Sequence, residues 1–542
     1  MILIANPDSP AIQRELIAST TSFLVFGSVL FLLERLGVPD IILVWSLAAS
    51  IFAVAILFGY SARTTSGNAF FCDNRSQGLS NLVIGNSAAL LSTPLFLLLV
   101  YLQSGNSFSV TVIIVAILAG HGLNGWLFSR ILRKSGAYSM PDFLGFRYNS
   151  KLIRFLTMLM VVAICSAFLF AEIRLAGLYL APILQFSFEH ITAAIVIISA
   201  FVSLLGGIGS VSKLQSALVL LILVTVLTTA TWLAIEITDN PLPQSLLNFS
   251  GTFALSQPLV DIRLARELEF AFGLIEQSGY LLPLLLLLGF IVLPQSANYS
   301  MVAKSTIVAR RASMRSLILS GLLLSSIPAL YYLVAADPVF LNAMPVVLQI
   351  FMPVALLMVS ISTTSLLLSI LANALSHDGY QFLQVSRVPL NRQIFIARIM
   401  IILLAYICWK YSINPAFDAL PMLVWALGLS LSCLLPVMLV SIIWPGTSAL
   451  AIVLAIITGL FLMAVSFVGL ETEFGRSFTQ AWFSSESIVG NYLGILASLI
   501  VMIIVIAVIF IVSAIKRPEE AVSEKLKNLR NPGGDIPISA NL

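Results

Sequence analysis

Four consecutive hydroxyl residues, Ser362-Thr363-Thr364-Ser365, interrupt an apolar run that closes sixteen residues after Ser362 at Asp378, within Ser376-His377-Asp378-Gly379-Tyr380. In a chain that is 59% hydrophobic and 10% charged, such hydroxyls either bond back to the preceding helical turn or offer oxygens to a hard cation. Both readings fit these letters. Glu172 and Arg174 lie in the middle of another apolar run, where an ionised group costs at least ~2.5 kcal/mol unless it finds a partner or a water-filled cavity. Two residues apart on a helix, they point to different sides and do not satisfy each other. For Glu172 a substrate or coupling role stands beside a structural ion pair. Arg174 either anchors the bundle through buried carbonyls or faces a cavity, where its guanidinium would hold a carboxylate bidentately. His121, in Gly120-His121-Gly122-Leu123-Asn124, reads as a packing residue rather than a proton relay, and Cys72, Cys165, Cys408 and Cys433 have neither metal-type spacing nor a disulfide framework.

The elements that must position these groups are helices in lipid. A mean hydropathy of +1.04 over 542 residues exceeds what a water-soluble core buries. Measured against the roughly 20 residues that cross a bilayer, the apolar runs give fourteen spans, near 16–34, 41–60, 79–103, 109–132, 152–183, 190–206, 210–236, 277–300, 314–335, 345–376, 394–412, 419–443, 448–469 and 488–515. This is an all-α polytopic membrane protein. An even count puts both termini on one side, and the basic loops holding Arg130, Arg133, Lys134, Arg147, Lys304, Arg310 and Arg311 make that side cytoplasmic. The net charge of +4 follows from those loops, and no nucleic-acid partner is implied. The loop 239–276 is expected to carry an amphipathic surface helix from Asp261 to Phe270, and the tail after Lys516 a short solvated helix followed by disorder. Gly85-Asn86-Ser87-Ala88 with Ser92-Thr93-Pro94 interrupts the span 79–103, and Gly279, Pro283, Gly289 and Pro294 punctuate the span 277–300, just ahead of Gln295 and Asn298. Paired discontinuous helices would expose carbonyls and half-helix ends to ions and substrates. Glycine and proline are equally ordinary in membrane helices, so both readings stand.

Several motifs nevertheless resemble one family. Phe70-Phe71-Cys72-Asp73-Asn74-Arg75-Ser76-Gln77-Gly78 is similar to the "YFLAGRSLG" entry of sodium/solute symporters, and Tyr138-Ser139-Met140-Pro141-Asp142-Phe143-Leu144-Gly145-Phe146-Arg147-Tyr148 to their "YTLPDFLGERY". Gly206-Gly207 with Val211 resembles the "GGxxAV" turn. Pro294 with the basic run Lys304 to Arg315 resembles the seventh-helix exit of the acetate and proline branches, and Pro436 with Trp444 the "PvlllglfW" helix. The matches keep their order over residues 41–470. The resemblance implies a LeuT-type core of two inverted five-helix repeats within about 14 transmembrane helices. It divides the chain into an additional N-terminal helix (1–40), a peripheral helix and cytoplasmic loop (41–78), a first repeat (79–238), an extracytoplasmic loop (239–276), a second repeat (277–444), two C-terminal helices (445–515) and a cytoplasmic tail (516–542).

The same resemblance implies a sodium site. Counting back from Asp378, Ser362 and Thr363 fall on the family's paired hydroxyl positions and Val359 on a carbonyl position; counting from Arg75, Ala88 and Leu91 fall on two further carbonyl positions. Glu172 falls where relatives often have Gln in "YLxAQ". Asn86, Ser87, Gln295 and Asn298, with Glu172 and Arg174, are the candidates for substrate or coupling contacts. Leu90 and Gln215 stand where several relatives carry Asp, so one sodium per cycle, a proton in its place, or a lost coupling ion are all open. The expected activity is not enzymatic: it is secondary transport by alternating access, with Na+ (or H+) driving symport of a small organic solute, a monocarboxylate first. The alternative is a solute sensor that acts through a separate protein partner without transport. The expected location is a bacterial inner (plasma) membrane.

Overall fold

The computed structural model describes residues 10–103, 107–238, 281–336, 344–383, 389–414, 418–471, 477, 480–481 and 493–531. Among them there is no strand, and an isolated backbone bridge pairs Gln77 with Ala303. The apolar runs fold as helices α1 (Pro10–Arg35), α2 (Asp40–Ser61), α3 (Gly67–Cys72), α4 (Leu79–Ala88), α5 (Thr93–Gln103), α6 (Ser107–Leu127), α7 (Ser129–Ser135), α8 (Met140–Tyr148), α9 (Lys151–Leu184) and α10 (Phe188–Thr238). There follow α11 (Leu281–Phe290), α12 (Pro294–Met301), α13 (Thr306–Ala336), α14 (Val346–Asn373), α15 (Leu390–Ser412), α16 (Ala419–Leu429), α17 (Leu435–Ile443), α18 (Ala449–Glu471), α19 (Leu493–Ile515) and α20 (Glu520–Arg530).

Eleven helices among the described residues are long and apolar enough to cross a bilayer, twelve if the pair α4 and α5 is one span. The expectation of fourteen also treats as two the limbs of α10, which breaks at Gly207 (φ 56°, ψ −136°), and includes α13, whose first turns carry Arg310, Arg311 and Arg315. The expected surface helix at 261–270 lies outside the described residues.

Burial shows which helix is central. The whole apolar window of α14 is inside the protein, against 17% of that of α1 and 28% of that of α19. α1 is more than an appendage, because the Glu34 carboxylate accepts from the amides of Val346 (2.6 Å) and Val347 (3.2 Å) and so caps α14. Two spans are broken as the punctuation anticipates. α4 and α5 bend by 62° across Ala89 to Ser92, and α11 gives way at Ile291 to Leu293 before Pro294 restarts α12. The halves α4 and α12 approach closely: a Cβ on Gly85 would stand 2.4 Å from Cε1 of Tyr299. Lys304 N donates to Gln77 O (3.0 Å), tying the start of α4 to the end of α12.

The tail refines the sequence reading. α20 is the expected short helix, solvated along one side but docked along the other, where Val522, Leu526 and Leu529 are buried. Lys134 Nζ donates to Asn528 O (2.9 Å), Arg147 Nη1 to Val522 O, Lys525 Nζ to Phe146 O (3.0 Å) and Arg530 Nη2 to Ile443 O (2.6 Å). Its apolar stripe at 522, 526 and 529 lies against the loop helices α7 and α8, so burial outweighs the polar composition of the segment.

A candidate ion and solute site at the broken helices

The α4 and α5 break leaves carbonyls without helical partners, and α14 crosses it with the hydroxyl run. Thr363 Oγ1 donates to Leu91 O at 2.7 Å, 272 residues away in sequence. Ser365, two residues on, behaves as an ordinary helical hydroxyl and bonds back to Ile361 O at 2.7 Å. Thr363 therefore reaches across to the break. Ala88, which ends α4, accepts from Leu91 N at 3.1 Å through its carbonyl, and a carbonyl oxygen keeps a second lone pair. Val359 and Ser362 lie on α14 one turn and one residue before Thr363, both buried. The Ser362 carbonyl accepts a long 3.4 Å contact from Gln215 Nε2, so Gln215 packs against this turn.

Glu172 joins the same break from α9. Its side chain is buried (1% exposed), and both carboxylate oxygens accept from Thr93 N (3.1 and 3.0 Å) while Thr93 Oγ1 donates at 2.5 Å. Thr93 is the first residue of α5, so the carboxylate sits on the positive end of a half-helix. Neither open sequence reading anticipated this, although Glu172 and Ser92-Thr93-Pro94 were both in view. Their contact spans 79 residues. Arg174 turns elsewhere: Nη1 donates to Ser412 O (3.1 Å) and Asn414 O (2.8 Å), the carbonyls that end α15. Of its two sequence readings, the anchor through buried carbonyls describes these bonds.

Asn86 on α4 and Gln295 and Asn298 on α12 are buried, and Asn86 Oδ1, Gln295 Oε1 and Asn298 Nδ2 have no hydrogen-bond partner. Orphaned buried amides are what a solute or water would satisfy. Ser87 instead bonds to Val83 O (2.9 Å) and Ser316 O (3.2 Å), toward α13. His121 contacts Ser296 Oγ (3.3 Å) and Ser316 Oγ (3.1 Å), so both ring nitrogens have partners.

A charged network at the far end of α14 escaped the sequence reading. There α14 widens into a π-helical turn, Ala374–Gly379. Asp378 accepts from Arg154 Nε (2.7 Å) and Ser139 Oγ (2.6 Å), Arg154 Nη2 lies 3.3 Å from Asp142 Oδ1, and His377 Nε2 lies 3.7 Å from Asp142 Oδ2. Asp142, His377 and Asp378 come close enough to hold a metal, but Arg154 already supplies the cation. Burial alone would raise the Asp142 carboxyl; the Arg154 guanidinium and the His377 bond outweigh it and hold Asp142 well below the usual carboxylate range. The signal was present as Pro141-Asp142, Arg154 and His377-Asp378, but nothing in their spacing says that a loop, α9 and α14 meet.

A model of the sodium:solute symporter family matches residues 70–342, half of the chain. No curated protein matches the sequence significantly. Among solved structures, the substrate-bound outward-open state of a Na+-coupled sialic acid symporter superposes with a TM-score of 0.61 at 13% identity, over 87% of this chain and 97% of that one. A nucleobase-cation-symport-1 family transporter, closed around bromovinylhydantoin, gives 0.45 at 13% identity over 87% and 97%. The first likeness establishes the LeuT-type fold.

Proposed function

Because the chain belongs to the sodium:solute symporter family, we propose that it is a secondary active transporter that couples entry of Na+ to symport of a small organic solute by alternating access. The contact between Thr363 Oγ1 and Leu91 O carries this reading: a hydroxyl of the central helix and a carbonyl of the broken one meet where family resemblance expects the ion. Na+ would be held there by the carbonyls of Ala88, Leu91 and Val359 and the hydroxyls of Ser362 and Thr363, an all-oxygen set suited to a hard cation. Binding of Na+ draws α14 and the break together, and the solute then docks beside the unpaired amides of Asn86, Gln295 and Asn298. Closure over both and opening of the opposite gate completes the cycle. Resemblance to the acetate and proline branches puts a small monocarboxylate first among solutes to test. The reading places the chain in a bacterial inner (plasma) membrane with both termini cytoplasmic, on the strength of its basic loops.

Uptake of a radiolabelled solute panel into proteoliposomes, with and without an inward sodium gradient, tests it. Sodium-driven uptake that is lost in the Ser362→Ala/Thr363→Ala double variant is the expected result. Binding without flux under either a sodium or a proton gradient would replace the transporter with a solute sensor.

A further inference from the structure

We infer that Glu172 selects the charge of the solute: it fills, from within the chain, the anion position at the N-terminus of α5, so that the site takes a neutral or cationic solute and rejects a free carboxylate. The inference rests on the symport reading and departs from the monocarboxylate that branch resemblance puts first.

The first four amides of a helix have no internal acceptor, and in discontinuous transporter helices they and the helix dipole receive anionic solute groups. In α5 every one of them is accounted for. Thr93 N donates to both oxygens of Glu172 (3.1 and 3.0 Å), Pro94 has no N–H, Leu95 N meets Ser92 Oγ (3.4 Å) and Phe96 N meets Ser92 O (3.0 Å). A solute carboxylate would find no free donor among these amides and would compete with the Glu172 carboxylate for the same position. Among the described residues, α5, α14 and α16 contain no Lys, Arg or His, His121 of α6 is held by Ser296 and Ser316, and Arg174 donates to the carbonyls of Ser412 and Asn414. Glu172 has a second consequence for the ion. The proposed Na+ ligands are all neutral oxygens, and a single residue, Ser92, separates Leu91, whose carbonyl meets Thr363, from the Thr93 that holds Glu172. In its ionised form the carboxylate supplies the counter-charge for Na+ in a low-dielectric setting, a task that would otherwise fall to an anionic solute.

Binding of ²²Na+ to the detergent-purified chain tests this without knowledge of the solute. Acetate and acetamide serve as probes of equal size and different charge. The wild type should bind Na+ equally with either. Glu172→Ala should bind at least about tenfold more weakly, and acetate, but not acetamide, should restore binding by occupying the vacated position. Glu172→Gln keeps the size of the side chain and an acceptor for Thr93; it should lose Na+ affinity comparably, and it decides the matter if Glu172→Ala departs from the wild-type size-exclusion profile. Acetate that strengthens Na+ binding in the wild type, folded Glu172 variants with wild-type affinity, or sodium-driven uptake of a carboxylate faster than of its amide would each overturn the inference. A wild type that binds no Na+ would remove the symport reading itself.

Discussion

Thr363 is the residue on which the ion site turns, because its hydroxyl is the atom seen to reach the break. Thr363→Val removes that oxygen at nearly constant volume, so a change in function cannot be assigned to an emptied core. The concentration of Na+ giving half-maximal uptake should rise by at least about tenfold, about 1.4 kcal/mol of binding, while Thr363→Ser stays near wild type. Equal sodium dependence in the Val and Ser variants would remove Thr363 from the site. At Asp142 the measurable property is stability. Its native carboxyl titrates below its unfolded value, so its contribution is present above roughly pH 3.9 and is lost only as pH falls through the lower native value. The melting temperature of the purified protein should therefore drop on acidification below roughly pH 4, and Asp142→Asn should flatten that drop. At this scale much was legible in sequence: the hydroxyl run, Glu172 and Arg174 stand out because polar atoms in lipid-spanning helices need a reason. Their partners were not legible, since Thr93, Leu91 and Ser412 lie 79, 272 and 238 residues from the groups they meet.

Broken helices were readable from Gly, Ser and Pro, but only as places where a helix is weak. That α4 and α12 press together needs Gly85 and Tyr299 to be seen as neighbours, and no local pattern pairs them. Tyr299 is 1% exposed, and a Cβ at position 85 would stand 2.4, 2.9 and 3.0 Å from three of its ring atoms. Gly85→Ala should accordingly cost about 1–3 kcal/mol by overpacking and lower the melting temperature, whereas Gly85→Ala combined with Tyr299→Leu should recover most of the loss. No recovery in the double variant would show that the ring is not what Gly85 accommodates. α20 makes the complementary point. Val522, Leu526 and Leu529 form a helical stripe that any reading of period could find, yet a charged segment near the end of a chain resembles a solvated one until its docking surface is known. That surface is made by Lys134, Phe146 and Arg147 from a loop nearly four hundred residues earlier. Chain termination after Arg517 should expose Arg147, which is 0% exposed in the whole protein, and leave its guanidinium without the Val522 carbonyl. Tryptic cleavage at Arg147 in the truncated chain and not in the full chain is the expected outcome.

Across the whole molecule, α9 connects the chemistry at different depths. Its first turn places Arg154 between Asp142 and Asp378, its middle carries Glu172 to the α5 terminus, and Arg174 fastens it to the end of α15. α14 runs beside it with Thr363 at the break and Asp378 in the charged network. The two helices therefore link the proposed ion site to the end of the bundle where the basic loops gather. Arg154 is the cation that lets two carboxylates share that end. Without it, acceptor atoms of Asp142, His377 and Asp378 remain within 4.8 Å of one another, and breaking such a partly buried pair leaves uncompensated charge. Repulsion then separates the α8 loop from the α14 end and opens the small cavity, about 20 Å³, lined by Ser139, Asn298 and Asn373. Arg154→Gln should accordingly raise labelling of a cysteine placed at Asn298 by a membrane-impermeant maleimide applied from the basic-loop side; the four native cysteines are buried and contribute little background. Adding Asp142→Asn and Asp378→Asn removes the repulsion and should return labelling to the level seen with Arg154 intact. If Arg154→Gln leaves the rate unchanged, the network holds the fold together without governing access, and the gate lies elsewhere along α4 and α12.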